Sequence, residues 1–416
     1  MITLDEATGL MILKLDLMQS FAVVLCVYYL GVLLKKKIPI LERFCIPAPV
    51  VGGLIFALLH LLVRQYANFS INVDTTFQKP FMMIFFTTIG MTASIQLIKK
   101  GGIGLVIFLV LASVLCIFQD AIGVLIAKVM GQNPLLGLIC GSVTMTGGHG
   151  TGAAFGGTFE SVEKMGQLAL QGASTTAAAA ATFGLVAGSL MGGPIGAAII
   201  RKNKLKPKAV EYADKNQNVD VAVKEEAIDF PEVFKTLTYI VVAIAVGAVV
   251  ERPLKKLGIT LPAYVFSMIV AAIFLNIGQS TGKWHVNQKA SEFIGTIALN
   301  SFLAFALCGM KLWQLAAVAG PMTVILLAQA AFMAVFAYFI TFKVMGSDFD
   351  AAALAAGHCG FGMGATPNGV ANMTSVQEEF GPAPRAFFIL PVVGAFLIDF
   401  TNAFIIAVFM NLAKML

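Results

Sequence analysis

The sequence predicts an all-α, polytopic membrane protein made of two inverted-topology repeats of about five transmembrane helices, each repeat with a re-entrant hairpin. Three observations support this fold class: the composition, a weak internal duplication, and two glycine-dense segments at matching places in the two halves. Of the 416 residues, 58% are hydrophobic and only 12% are charged, whereas a soluble domain has about 25% charged residues. The chain is therefore predicted to lie in a membrane.

Long apolar runs supply the predicted spans. Residues 102–127, 236–250, 294–310 and 387–412 approach or exceed the roughly 20 residues that cross a bilayer. The apolar N-terminal stretch has no small-residue cleavage site after a basic region, so we interpret it as the first span rather than a signal peptide. The six cysteines are isolated, and their spacing indicates neither a zinc site nor a disulfide framework.

One extended hydrophilic stretch divides the chain into two halves. Residues 201–235 carry mixed charge without an apolar period, which is typical of a solvated cytoplasmic linker. We predict an N-terminal membrane repeat over 1–200 with a re-entrant segment near 135–165. The C-terminal repeat is predicted over 236–416, with its re-entrant segment near 350–375.

The halves repeat weakly, in the same order of features. Four pairs of landmarks recur at offsets between 210 and 219 positions: Pro47 and Pro262, Gly90 and Gly309, Gln119 and Gln329, and Gly148 and Gly364. An odd number of spans in each half makes the second half insert upside down, which gives an inverted repeat. With the termini outside, most basic residues fall inside, as the positive-inside rule favours. The net charge of +6 therefore reflects topology, and no nucleic-acid binding is predicted.

Two segments, 144–152 and 357–367, combine glycines with hydroxyl and imidazole groups inside apolar sequence. Glycine weakens a helix, and its freed backbone groups cannot stay unpaired in lipid. Two such segments in two halves indicate broken helices or re-entrant hairpins that line a solute site. Exposed N–H groups at a half-helix N-terminus attract an anion without a fixed lysine.

The sequence thus predicts a secondary transporter. Its candidate substrate-binding residues are Thr144, Thr146, Gly147, Gly148, His149, Gly150, Thr151, His358, Gly360, Gly362, Gly364, Thr366 and Asn368.

Two acidic residues, Asp120 and Asp399, lie deep in apolar sequence. A carboxylate at the bilayer centre costs about 2.5–3.5 kcal/mol on insertion scales, so such a residue commonly binds a cation, carries a proton or has a partner. Asn402 lies three residues after Asp399, on the same helical face, and hard cations such as sodium prefer oxygen ligands. The candidate sodium-binding residues are Asp399, Asn402, Asp120, Gln119 and Gln329. The alternatives are structural: Asp399 bonds a broken helix, and Asp120 faces polar backbone.

Other classes fit the sequence less well. A membrane enzyme or a zinc site using His149, His358 and Cys359 would need a further base, nucleophile or ligand at supportive spacing, and none is present. A channel is also possible, but two halves with separate hairpins favour alternating access. Arg385 is the one guanidinium near a hairpin, and we interpret it as a lipid-headgroup anchor rather than a carboxylate ligand.

The motifs T-G-G-H-G-T-G-A-A over 146–154 and A-A-G-H-C-G-F-G-M-G-A-T-P over 355–367 resemble those of the sodium/glutamate symporter family. The segments F-F-T-T-I-G over 85–90, P-V-V-G-A-F over 391–396 and Ile398-Asp399 are similar too. The resemblance covers most of the chain apart from its termini and the central linker. It implies that the hairpins meet from opposite sides of the membrane at the turns 147–150 and 361–364.

The same resemblance implies a homodimeric, elevator-type symporter in the bacterial inner membrane that imports L-glutamate with sodium as the coupling ion. No enzymatic activity and no other cofactor are expected, and the partners would be glutamate, sodium and membrane lipid. One alternative is a sodium- or proton-coupled transporter of another small carboxylate, such as aspartate or a di- or hydroxy-carboxylate. Another is a proton-coupled antiporter that uses Asp120.

Overall fold

The computed structural model describes residues 2–5, 10–43, 46–207, 229–256, 263–315 and 318–415. Three short strands are β1 (Ile2–Asp5), β2 (Leu10–Lys14) and β3 (Phe69–Asn72). The helices of the first half are α1 (Leu17–Lys37), α2 (Pro39–Arg43), α3 (Ala48–Ala67), α4 (Gln78–Gly90), α5 (Ile95–Val129), α6 (Pro134–Leu138), α7 (Gly148–Glu160), α8 (Val162–Met165) and α9 (Ala173–Asn203). Those of the second half are α10 (Phe230–Lys256), α11 (Ala263–Thr281), α12 (Gln288–Cys308), α13 (Ala319–Val335), α14 (Phe342–Val344), α15 (Phe349–Met363), α16 (Thr366–Phe380), α17 (Pro384–Val392) and α18 (Ile398–Met415).

Several helix starts follow from local sequence. At α1, the Asp16 carboxylate accepts a hydrogen bond from the Gln19 N–H at 2.8 Å, and the Gln19 side chain accepts one from the Asp16 N–H at 3.1 Å. This reciprocal pair is a capping box, which satisfies two N–H groups that the helix itself leaves unpaired. Asp348 caps α15 in a similar way by accepting from the Ala351 N–H at 2.9 Å.

A small three-stranded sheet, which was not predicted, adds to the otherwise helical fold. Strand β1 pairs antiparallel with β2, and β2 pairs parallel with β3, with Met11 opposite Phe69. The strands are only four or five residues long, and β3 follows directly after α3. The N-terminal segment was expected to belong to the first span, but its first residues lie outside α1 and pair with the connection between α3 and α4.

In the part of the chain that the structure describes, nine helical segments are long and apolar enough to cross a membrane. The sequence predicted about ten. The difference lies at α4, which occupies the place of the third span of the first half but has only 13 residues. At 1.5 Å per residue it is about 20 Å long, shorter than a hydrocarbon core of about 30 Å. The chain is thus a multi-pass membrane protein.

The helices pack in two groups, and each half of the sequence contributes to both. The frame group consists of α1, α3 and α4 with α10, α11 and α12, which pack chiefly on one another. The hairpin group consists of α5–α7 and α9 with α13 and α15–α18. Contacts across the boundary are sparser and largely apolar, such as the Phe155 ring of α7 against the Tyr264 ring of α11, with centroids 6.1 Å apart.

The two glycine-dense segments form helical hairpins. In the first, α6 continues into a π-helical segment, Ile139–Val143, and a turn leads into α7. In the second, α15 ends at Met363 and α16 begins at Thr366. Between the halves, α9 runs on to Asn203 and α10 begins at Phe230. Residues 208–228 of the predicted linker lie outside the described residues.

Candidate functional site

A cavity of about 320 Å³ lies where the hairpin tips face the frame group. This volume is within the usual range for a small-molecule site. The hairpin group contributes the tip residues 146–151 and 364–367, together with Gly394 and Asp399. The frame group contributes apolar side chains, namely Phe85, Phe86, Leu299 and Leu303, with Pro47. The lining therefore joins one polar wall to one apolar wall.

Two helices point their N-termini into this cavity. Gly148 opens α7 and Thr366 opens α16, and neither helix has a side-chain cap. The first N–H groups of a helix have no acceptor within it, and together they carry a partial positive charge of about half a unit. No lysine or arginine is among the residues that line the cavity. Backbone donors are thus the positive groups that this cavity offers to an anion.

The tips touch each other at two glycines. Gly148 has a φ of +58°, a conformation that strains residues with a side chain. A Cβ on Gly148 would lie 2.6 Å from the Gly364 carbonyl oxygen. Both the backbone conformation and the close approach therefore require glycine at position 148.

A pair of glutamines ties the two hairpins together behind the cavity. The Gln119 amide nitrogen donates to the Gly362 carbonyl oxygen at 2.7 Å, and its side-chain oxygen accepts from the Thr146 hydroxyl at 2.8 Å. Gln329 donates to the Gln119 backbone carbonyl at 2.6 Å. All four groups are buried. Gln119 thus bonds the first hairpin through Thr146 and the second through Gly362.

Asp120 is fully buried and belongs to a separate cluster. Its carboxylate accepts two hydrogen bonds from Ser142, one from the N–H at 2.7 Å and one from the hydroxyl at 3.0 Å. The Ser142 carbonyl accepts from the Asn402 side chain at 3.1 Å. The side-chain oxygen of Asn402 is buried without a hydrogen-bond partner in the described structure. Two oxygen-bearing side chains, Asp120 and Asn402, are therefore joined through one residue of the π-helical segment.

Asp399 lies in the first turn of α18 and lines the cavity. Within the described residues its carboxylate has no hydrogen bond or ion pair, in contrast to Asp120. The structural alternative for Asp399, a hydrogen bond to a broken helix, is not found. A cavity that is lined by two positive helix ends thus also contains one free carboxylate.

The two histidines have different surroundings. His149 lines the cavity, and its Nε2 lies 3.1 Å from the Thr182 hydroxyl of α9. His358 is completely buried, with its Nδ1 2.9 Å from the Thr341 hydroxyl and its ring packed against Phe108 and Phe361. The structure therefore brings His149 to the cavity and places His358 inside the hairpin group.

The remaining predicted residues divide in the same way. Those on the cavity wall are Thr146, Gly147, Gly148, Gly150, Thr151, Gly364 and Thr366. Thr144 lies behind the wall and donates to the Ile139 carbonyl at 2.6 Å. Asn368 donates to the Leu185 carbonyl of α9 at 3.0 Å. Gly360 and Gly362, which lie in α15, are not among the lining residues.

Arg385 does not line the cavity and is not simply a headgroup anchor. Its guanidinium donates to the Met345 carbonyl and to the Asp348 carboxylate, each at 2.9 Å. Asp350 accepts from the Arg385 N–H at 2.9 Å. These bonds join the start of α15 to the start of α17.

Sequence reasoning missed the apolar wall and Ser142's role as a bridge. Phe85 and Phe86 belong to a segment that the family resemblance had singled out, and this was the available signal. Leu299 and Leu303 are spaced four residues apart on α12, which is also the spacing of any buried helix face. Nothing in the sequence distinguished them from ordinary core residues.

Apolar helices of spanning length, with a cavity where the tips of two helical hairpins face the frame group, indicate a membrane transporter rather than an enzyme. A sequence profile of the family "Sodium/glutamate symporter" matches residues 13–382. A sodium/glutamate symporter of Haemophilus influenzae is 40% identical over 392 residues, which cover 94% of this chain and 96% of that protein. One of Escherichia coli K12 is 39% identical over 402 residues, covering 96% and 98%. The chain belongs to the sodium/glutamate symporter family.

Proposed function

We propose that the protein is a secondary active transporter that carries L-glutamate into the cell together with sodium. The observation that carries this proposal is the meeting of three charged elements in one cavity: the N-termini of α7 and α16, and the carboxylate of Asp399. The names of the relatives support the choice of glutamate and sodium.

The helix ends are the proposed sites for the two carboxylates of glutamate. The N–H groups at the start of α7, from Gly148 to Gly150, and the N–H of Thr366 at the start of α16 are suitable donors. The hydroxyls of Thr151 and Thr366 add neutral donors on the same walls. A solute with one carboxylate at each end would bridge the two tips. We propose that the contribution of the second hairpin comes from Gly364 and Thr366, while His358, Gly360, Gly362 and Asn368 position that tip from behind.

Sodium is proposed to bind on the acidic side of the cavity. Asp399 supplies a negative oxygen, and Asn402, one turn further along α18, supplies a buried side-chain oxygen without a partner. The Asp120 carboxylate, joined to Asn402 through Ser142, supplies a second negative group. The Gln329 side-chain oxygen is also buried and unpaired in the described structure. The Gln119 side chain is occupied by both hairpins, so its proposed part is to hold the tips in place.

Electrostatics gives the order of binding. Keeping the half-buried Asp399 carboxylate as an anion without a counter-charge is expensive, and glutamate brings a further net negative charge. Sodium therefore binds first and neutralises Asp399, and glutamate then binds at the helix ends. When both sodium and glutamate are bound, their charges compensate each other, and the loaded carrier crosses the membrane more readily than a carrier with glutamate alone. If more than one sodium accompanies the monoanion, each net charge moved gains roughly 2.3 kcal/mol per 100 mV.

Movement is proposed to follow the division into two groups. Both hairpins, Asp120 and Asp399 belong to the hairpin group, so that group moves as the carrier against the frame group in an elevator-type cycle of alternating access. The largely apolar boundary suits sliding because it has few directional bonds to break. The two halves are proposed to be inverted repeats, with a cytoplasmic linker between them, in a homodimer in the bacterial inner membrane.

Uptake of labelled L-glutamate into proteoliposomes tests the function. We expect accumulation with an inward sodium gradient, competition by unlabelled L-glutamate, and none with a proton or potassium gradient alone. If aspartate or a di- or hydroxy-carboxylate competes more strongly than unlabelled L-glutamate, that compound would replace glutamate as the proposed solute. Uptake that is independent of the sodium gradient but depends on pH would overturn the sodium coupling and favour proton transfer at Asp120.

A further inference from the structure

A second, larger cavity of about 670 Å³ lies away from the hairpin tips. Its walls come from both helix groups: the end of α3, β3 and the end of α12 on one side, and the end of α7 and the start of α9 on the other. Helix α9 starts at this cavity and ends beside the central linker, about 46 Å away at 1.5 Å per residue. The second cavity therefore opens on the face of the protein opposite to the linker.

The walls of this cavity carry an excess of positive charge. Arg64 and Lys311 line it, and Glu160 is the acidic residue among the lining side chains. Within the described residues, neither Arg64 nor Lys311 forms an ion pair. The Glu160 carboxylate accepts from the Ser174 N–H at 3.0 Å. Two unpaired cations in a concave surface attract small anions, since such a surface concentrates the field.

The Arg64 guanidinium is held in position by an aromatic ring. It lies 4.2 Å from the centroid of the Trp313 ring, a cation–π contact that restrains the side chain but leaves its N–H groups free to donate. The Trp313 ring also packs edge-on against His60, with centroids 5.4 Å apart. A guanidinium held on a ring is a suitable partner for a carboxylate because both groups are planar.

His60 lies on the same wall and supports the Trp313 ring. It is only 6% exposed, and its Nε2 accepts from the Ile71 N–H at 3.1 Å. In the neutral ring the hydrogen must then be on Nδ1, and that atom has no hydrogen-bond partner in the described structure. The buried ring therefore braces the Trp313 ring, and through it the Arg64 guanidinium, on this wall.

We propose that this second cavity is a staging site that binds the carboxylates of the incoming solute before it reaches the hairpin tips. Arg64 and Lys311 bind the carboxylates, Trp313 orients the guanidinium, and Glu160 receives the ammonium group of an amino acid. The ligand class is a small zwitterion with a second carboxylate. The inference rests on the proposed function, because it takes its solute from there.

The first test is the dependence of transport on ionic strength. Initial uptake by Arg64→Gln and Lys311→Gln is measured at constant sodium while choline chloride is varied. We expect kcat/KM at low ionic strength to fall about 3- to 10-fold in each variant, through KM rather than kcat, and to converge with the unmodified protein at high salt. Lys36→Gln removes an exposed cation from the end of α1 that does not line the cavity, and it should leave the profile unchanged.

The second test detects binding directly. The chain has two tryptophans, so Trp284→Phe leaves Trp313 as the reporter. Without sodium, L-glutamate should change the Trp313 emission and neutral L-glutamine should not, and Lys311→Gln should move the titration midpoint at least threefold higher. Arg64→Lys retains the positive charge, so it serves as a second variant at this position should Arg64→Gln fail to fold.

An unresponsive Trp313, or salt profiles of both variants that match the unmodified protein, would overturn the staging site. Sodium-driven uptake by the unmodified protein would still stand in that case. Failure of the proposed function would instead appear as no sodium-driven glutamate uptake in any variant.

Discussion

Gln329 donates a 2.6 Å hydrogen bond to the backbone carbonyl of Gln119, 210 positions earlier in the chain. The proposed repeat places the two residues at corresponding positions in the two halves, and the bond joins α13 to α5 directly. Through its side chain, Gln119 then reaches Thr146 of the first hairpin and Gly362 of the second. One glutamine on α5 therefore fixes the relative position of both hairpins.

Replacement of Gln119 by leucine should uncouple the hairpins. The change leaves the Thr146 hydroxyl and the Gly362 carbonyl buried without this partner, which costs about 1–3 kcal/mol for each group. We expect at least tenfold slower uptake and a lower unfolding temperature, measured by transport and by thermal denaturation in detergent. Ser113→Ala removes a hydroxyl from the same helix that bonds Leu109 and Thr401 instead, and it should transport nearly normally. Equal losses in the two variants would contradict a specific role for Gln119.

Gly148→Ala should abolish transport. The new methyl group would lie 2.6 Å from the Gly364 carbonyl oxygen, at a φ of +58°, so the tips must separate or the backbone must change. The matched change on the same helix is Gly157→Ala, because a Cβ there meets nothing within 4 Å. Alanine in a helix interior is favoured over glycine by about 1 kcal/mol, so Gly157→Ala should be at least as stable as the unmodified protein. Normal uptake by Gly148→Ala would show that contact between the tips is dispensable.

Asp399→Asn tests the proposed sodium ligand. Loss of the negative charge should weaken sodium binding at least tenfold, equivalent to about 1.4 kcal/mol. The measurement is the initial rate of glutamate uptake against sodium concentration, with expression and gel filtration to establish folding. Thr401→Val is the control, because Thr401 is on the same turn of α18 but bonds the Ile398 carbonyl. An unchanged sodium curve in folded Asp399→Asn would exclude this ligand.

Arg385→Gln should affect stability rather than solute affinity. The guanidinium bonds Met345 and Asp348 and does not line the cavity. Because the ion pair is partly exposed, we expect a loss of about 1 kcal/mol in the free energy of unfolding. KM for glutamate should stay within about twofold of the unmodified value, since each 1.4 kcal/mol of binding energy is a factor of ten. A much larger rise in KM would instead make Arg385 a carboxylate ligand.

The parts of the fold that depend on local sequence were predictable. Hydropathy predicted the membrane character and most spans, and the glycine-dense segments predicted that helices break near positions 147 and 364. The small sheet was not predictable, because its strands are short and β3, which pairs with β2, is more than fifty residues away from it. The length of α4 was missed as well: the prediction of five spans per half required a third span at this place, whereas the helix has only 13 residues.

The candidate site was predictable only in its backbone. Glycine spacing indicated where the helices break, and helix breaks determine which N–H groups are free. The partners of side chains depend on packing between distant segments, and no periodicity encodes them. His149 and His358 have similar surroundings in sequence, yet one lines the cavity and the other packs among phenylalanines.

The contact between the tips has a consequence for altering what the protein carries. The carbonyl of Gly364 and the positive φ of Gly148 already forbid a side chain at position 148. Selection for a different solute should therefore accumulate changes at Thr151, Thr366 and the phenylalanine wall, while both tip glycines stay invariant. Directed evolution of a new solute preference should therefore randomise those positions and keep the two glycines fixed. Libraries that also randomise Gly148 would consist mostly of inactive variants.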